Sequence, residues 1–290
     1  MYVARLLSAL FAGSLLVASA RAAEPLLAEK PVLVRAELIA DVASVQPGQP
    51  FRLGVHLVMR DGWHVNWINP GDAGLAPSIA WKLPEGFKAG VLQWPFPSRI
   101  MAGPIAIFGY RGDVLLVSDV QVPANLSPGG NVDIAADVSW LACAEECVPG
   151  SASLNLRLPV EAAARSDMEH RALFDATRAR LPGHTLEWNV DAHIDDANAL
   201  VLELQSSGTP APLEGLLFFP YEPGLIENAA PQILTTHPGP GGQPVYELRI
   251  TRARMPADEL RQAYGLLVAS SGFKTGEAAA IEVNVPVGRR

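Results

Sequence analysis

Val132-Asp133-Ile134-Ala135-Ala136-Asp137-Val138-Ser139-Trp140 runs into Leu141-Ala142-Cys143-Ala144-Glu145-Glu146-Cys147-Val148-Pro149-Gly150, and Leu154-Asn155-Leu156-Arg157-Leu158 runs out of it. Both flanks alternate apolar with polar residues, the period of a strand that buries one face. One strand entering, a Pro-Gly pair and another strand leaving place the middle segment at a hairpin-like end of a sheet. That segment holds the only two cysteines of 290 residues, with three residues between them. Sulfurs this close can form one disulfide, bind a soft metal ion or exchange with other thiols, and the compartment decides among these.

Outward from this hairpin the pattern repeats. Val32 to Leu38, Phe51 to Val58 and Val114 to Val117 read as further strands, and Gln46-Pro47-Gly48-Gln49 between the first two has turn chemistry. Several short strands with turn signals between them predict an all-β fold, an immunoglobulin-like β-sandwich. Composition agrees: 49% hydrophobic residues supply a core, while 25 Gly and 25 Pro interrupt long helices. Gly62 to Gly112, rich in Trp, Pro and Gly, reads as a long irregular region of the kind that carries function.

At about Glu161 the texture changes. Helix-forming residues continue to Leu181 with no breaker before Pro182, which predicts a helical connector. Strands resume at Trp188 and continue through Ala199–Leu204, Leu216–Pro220, Val245–Ile250, Tyr264–Val268 and Ala280–Val285, forming a second, smaller β-rich domain without cysteine. The amino terminus has the layout of an export signal. Arg5 precedes an apolar run from Leu6 to Ala18, and Ala20-Arg21-Ala22 offers small residues for cleavage. The expected division is therefore 1–22 signal peptide, 23–160 sandwich and 161–290 connector with the second domain, in a periplasmic chain with no transmembrane span after cleavage.

An oxidising compartment favours sulfur chemistry over inert thiols. A disulfide closing a ring of about five residues gains only about 2 kcal/mol in the chain-entropy model, against about 4.7 for a 100-residue loop. A labile exchange pair is thus a better reading than a structural staple. Glu145 and Glu146 between the sulfurs disfavour thiolates, so the couple is expected on the reducing side, an electron carrier instead of a disulfide donor. The competing readings are a Cu(I) site on Cys143 and Cys147 with a His or Met nearby, in a copper-handling binding module, and a β-sandwich adaptor with an inert disulfide. Retention of Cu(I) by the reduced protein, lost in Cys143→Ser, separates the first of these from exchange.

Ordered motifs then narrow the choice. Asp61-Gly62-Trp63-His64-Val65-Asn66-Trp67, Asn69-Pro70-Gly71-Asp72-Ala73-Gly74-Leu75, Trp81-Lys82-Leu83-Pro84-Glu85-Gly86, Trp94-Pro95-Phe96-Pro97, Phe108-Gly109-Tyr110-Arg111-Gly112 and the cysteine segment resemble the amino-terminal periplasmic domain of DsbD-type thiol:disulfide interchange proteins, particularly the ScsB-like branch. The resemblance covers roughly Val32 to Val160. It implies a redox-active pair that takes electrons from a thioredoxin-like protein or a membrane electron-transfer protein and passes them to oxidised periplasmic proteins. It also implies associations with cytochrome c biogenesis and copper tolerance. By the same resemblance Cys147 makes the mixed disulfide, Cys143 resolves it, and the Phe108-Gly109-Tyr110 region supplies an aromatic cap. The electron-transfer and thioredoxin-like domains of the family are absent from this chain, so its electrons are expected from a separate protein.

His64 is a candidate neighbour of the sulfurs, able to assist thiolate formation. Trp63, Trp67, Trp81 and Trp94 read as core and loop anchors, and Asp72 as a turn residue. No cofactor is expected. The chain has no phosphate loop, no His-Glu-x-x-His and no Gly-x-Ser-x-Gly elbow. A net charge of −8 without a Lys/Arg cluster leaves no footprint for nucleic acid.

Overall fold

Alternating burial builds the first two sheets. The strands are β1 (Val34–Ala40), β2 (Phe51–Met59), β3 (His64–Gly71), β4 (Ser78–Lys82), β5 (Lys88–Ala89), β6 (Ser98–Ala102), β7 (Ile105–Arg111), β8 (Asp113–Gln121), β9 (Asn131–Cys143) and β10 (Cys147–Pro159). The computed structural model describes residues 32–183, 187–208, 212–239, 242–254, 260–273 and 279–289. The expected export signal at 1–22 lies outside them. One sheet runs β1-β2-β8-β5 and the other β10-β9-β3-β7-β6, with β4 also paired to β9. Val132, Ile134, Ala136 and Val138 of β9 turn inward against Leu53, Val55 and Leu57 of β2 and Leu116 of β8. Each Val, Leu or Ile among these taken fully from water contributes roughly 1.5–3 kcal/mol. The sandwich expected from the alternation is therefore present, immunoglobulin-like in its two facing antiparallel sheets.

The Gln46-Pro47-Gly48-Gln49 turn forms as expected: the Gln49 N–H donates to Gln46 O at 3.2 Å, and Gly48 has a φ of 73°. The stretch from Gly62 to Gly112 does not behave as an irregular region. It contains five strands, β3 to β7, with most of its glycines and prolines in the connections and with Pro70 and Gly71 at the end of β3 and Gly109 within β7. Gly74, Gly86 and Gly103 all adopt positive φ in the connections.

The connector is also shorter than its composition predicts. The helix α1 covers Arg171–Arg180 only. Upstream, the chain pairs with the Asp41–Val45 segment: Ala43 N–H donates to Arg165 O and Asp167 N–H to Asp41 O. The Asp167 carboxylate then accepts from the Glu169 and His170 N–H groups, an Asx turn that starts the helix late. Phe174 seats α1 on Ile39, Leu115 and Val117.

Beyond α1 lie β11 (Trp188–Ile194), β12 (Leu200–Ser206), β13 (Leu217–Pro220), β14 (Ile233–Pro238), β15 (Pro244–Ile250), β16 (Gln262–Val268) and β17 (Ala280–Arg289). They make the second β-rich domain, with order β13-β16-β17-β11-β12-β15-β14 and a parallel β11–β17 pair. Its own core gathers Leu202, Leu204, Phe218, Leu248 and Leu267. Phe219 and Leu266 belong instead to the sandwich core, so strand alternation in β13 and β16 feeds both cores at once.

Candidate functional site: a disulfide at the end of a hairpin

β9 and β10 pair along their whole length, and the register ends with Cys143 opposite Cys147. The two are joined by a disulfide, with Cα atoms 4.1 Å apart. Ala144, Glu145 and Glu146 make the connection, in which the Ala144 N–H donates to Glu146 O at 2.9 Å. Just before the cysteines, Trp140 lies across from Gly150, and a Cβ on Gly150 would meet the indole Nε1 at 2.4 Å. The glycine thus leaves room for a tryptophan that covers the edge strand beside the sulfurs.

The two cysteines differ in access. Cys143 is only 4% exposed, whereas Cys147 is exposed. Both line a cleft of about 710 Å³ whose walls include His64, Arg111, Glu145, Ile100, Met101, Ile105 and Ile107. β3 brings His64 there, in register with Cys143 on one side and Arg111 of β7 on the other. The imidazole is buried. Desolvation, and secondarily the Arg111 charge, hold its pKa below the ordinary 6.5. Both effects favour the neutral ring and disfavour its protonated form.

Strand parity sorts the remaining candidates. Along β7, Ile105, Ile107 and Arg111 look into the cleft, while Phe108 and Tyr110 point into the sandwich core and Ala106, on their face of the strand, is buried. Phe108 packs edge-on against Phe219 with ring centroids 4.9 Å apart. The Tyr110 hydroxyl donates to Pro95 O at 2.6 Å, and burial pushes the phenol pKa well up. Neither ring lines the cleft, so the aromatic pair is not placed as the expected cover. Aliphatic residues of the β6–β7 hairpin occupy that position, with Met101 52% exposed at its tip. Arg111 and Met101 were not candidates by sequence. Once Phe108 and Tyr110 are assigned to the core, the period of two puts Arg111 on the other face.

Trp67 is fully buried, and Trp63, Trp81 and Trp94 pack partly buried against the same core, as their anchor reading predicts. Asp72 does more than turn the chain. Its Oδ2 accepts the Ala106 N–H at 2.7 Å, and its Oδ1 accepts from the Asn228 amide at 2.8 Å. Among the described residues no group of three or more His, Cys, Asp or Glu is arranged to hold a metal ion, and no helix is long and apolar enough to cross a membrane.

Residues 31–159 match the family model for the amino-terminal domain of thiol:disulfide interchange protein DsbD, the class that the ordered motifs resemble. Among solved structures, the N-terminal periplasmic domain of ScsB from Proteus mirabilis aligns with a TM-score of 0.55 at 19% identity, covering 89% of this chain and 93% of that one. At this identity the likeness establishes the fold, and it extends over both β-rich parts. BcpA, the major pilin subunit of Bacillus cereus, aligns at a TM-score of 0.28 and 8% identity over 89% of this chain and 69% of its own. No curated protein sequence matches the chain.

The buried imidazole has a consequence for stability. Its folded pKa is lower than that of the unfolded chain, so unfolding takes up a proton below about pH 6.5. The stability associated with a neutral His64 is intact above that value and is lost as pH falls through it towards the folded pKa. Urea midpoints measured between pH 7.5 and pH 5 should fall more steeply for the wild type than for His64→Gln. Parallel curves would remove His64 from the acid response.

Proposed function

We propose that this chain is a periplasmic thiol:disulfide exchange protein, a protein-disulfide reductase that relays two electrons through Cys143 and Cys147. The observation that carries the reading is the inequality of the two sulfurs, one exposed at the hairpin end and one buried beside a neutral imidazole. A donor thiolate attacks the accessible Cys147 sulfur, the Cys143–Cys147 bond breaks, and Cys143 leaves as a thiolate. A second donor thiol then attacks the mixed disulfide, releasing the oxidised donor and leaving a reduced pair. In the forward half-cycle Cys147 attacks a client disulfide. Cys143, as its thiolate, attacks the Cys147 sulfur, the mixed disulfide breaks, and the client leaves as a dithiol on taking up the proton.

The donor is a thioredoxin-like protein or a membrane electron-transfer protein, and the acceptors are oxidised periplasmic proteins reached after export through the 1–22 signal. Residues 23–160 carry the chemistry, and 161–290 form the attached second part. Thioredoxin with its reductase and NADPH provides the direct test. The expected outcome is two alkylatable thiols per chain, whose two electrons then pass to a disulfide-bonded client as the Cys143–Cys147 bond re-forms. A disulfide that stays closed to this donor would favour an inert staple.

A further inference from the structure

The cleft wall facing the sulfurs is the β6–β7 hairpin, and β6 pairs with β7 alone, at the edge of its sheet. β7 is paired to β3 from Ile107 to Arg111, so only the hairpin tip extends past that pairing, and an edge tip of this kind is weakly held unless something braces it. The holding contacts come from the second β-rich domain. The Arg99 guanidinium of β6 donates to Ala230 O at 2.7 Å. Asp72, which grips the backbone N–H of Ala106 in β7, is in turn held by the Asn228 amide. Asn69 reaches across at the same place, its Nδ2 donating to Pro220 O at 2.7 Å, and Phe219 meets Phe108 behind the wall.

Asn228 is itself buried. Its bond to a carboxylate is therefore one whose loss leaves a polar group unsatisfied away from water. Ala102 and Ile105, a cross-strand pair near the tip of the same hairpin, line the cleft.

We propose that the second β-rich domain clamps the β6–β7 wall of the disulfide cleft and so sets how readily a thiol reaches Cys147, with Asp72 and Asn228 as positioning residues. The inference rests on Cys147 being the sulfur approached through this cleft. Asn228→Asp places a second carboxylate against Asp72 and breaks the clamp. The exchanged pair Asp72→Asn with Asn228→Asp restores a donor facing an acceptor, and the new amide oxygen still accepts the Ala106 N–H.

The readouts, on the full chain, are the rate of disulfide reduction by dithiothreitol and hydrogen exchange across residues 101–107. Asn228→Asp should be reduced about 2- to 10-fold faster and exchange faster in that segment, with the exchanged pair returning to the wild-type rate. Should Asn228→Asp fold poorly, Asn228→Ala removes the same bond without adding charge and should shift both readouts in the same direction. Wild-type reduction rates in a folded single variant, or no recovery in the exchanged pair, would overturn the clamp. Failure of the relay itself is distinguishable, because it would show as resistance to thioredoxin while the dithiothreitol rates still separate the variants.

Discussion

Cys143→Ser is expected to accumulate mixed disulfides with client proteins, and Cys147→Ser to accumulate essentially none. The difference follows from access. Exchange needs in-line approach of a thiolate to a sulfur, and of the two only Cys147 is exposed. Cys143 lies beneath the hairpin end, in register with His64, where it can reach Cys147 but little else. Removing it deletes the resolving step while leaving the attacking one. Affinity capture of each variant after denaturation under acid, with reducing and non-reducing electrophoresis, separates the outcomes. An equal harvest from Cys147→Ser would reverse the assigned roles.

The second large effect is structural. Phe219→Ala should destabilise the protein by about 3–5 kcal/mol in urea titrations, the usual range for deleting a buried aromatic ring. Phe219 is 2% exposed and belongs to the sandwich core although it is carried by β13 of the other domain. It stands edge-on to Phe108 at 4.9 Å and to Trp67 at 6.4 Å, so its loss empties the space behind β3 and β7. Phe219→Leu should recover most of the loss by refilling the volume. A cost under about 1 kcal/mol for the alanine variant would show that the two cores are energetically separate.

Much of the architecture was legible before any coordinates. The alternation in Val132–Trp140 is strict enough to predict β9 and its inward face, and the Pro-Gly exit predicts the partner strand. Ala199–Leu204 and Val245–Ile250 were readable for the same reason. The Gly62–Gly112 region differs from its irregular reading because Pro and Gly lower strand propensity locally, while the strands there are set by pairing with distant neighbours. The helix beginning was misread because Ala162, Ala163 and Ala164 favour helix locally, whereas the chain nearby bonds to Ala43 and Asp41 instead.

The site divides along the same line. By itself the sequence determined that two cysteines meet at a hairpin end, because a three-residue connection between two alternating strands is a local constraint on register. It did not determine which sulfur faces outward, that Phe108 and Tyr110 face away from the cleft, that Arg111 faces into it, or that Met101 lies at its rim. Nor did it couple Asn228 to Asp72. Those outcomes belong to the tertiary structure, because a strand's alternation specifies two faces but only packing against remote segments decides which face is covered and by what.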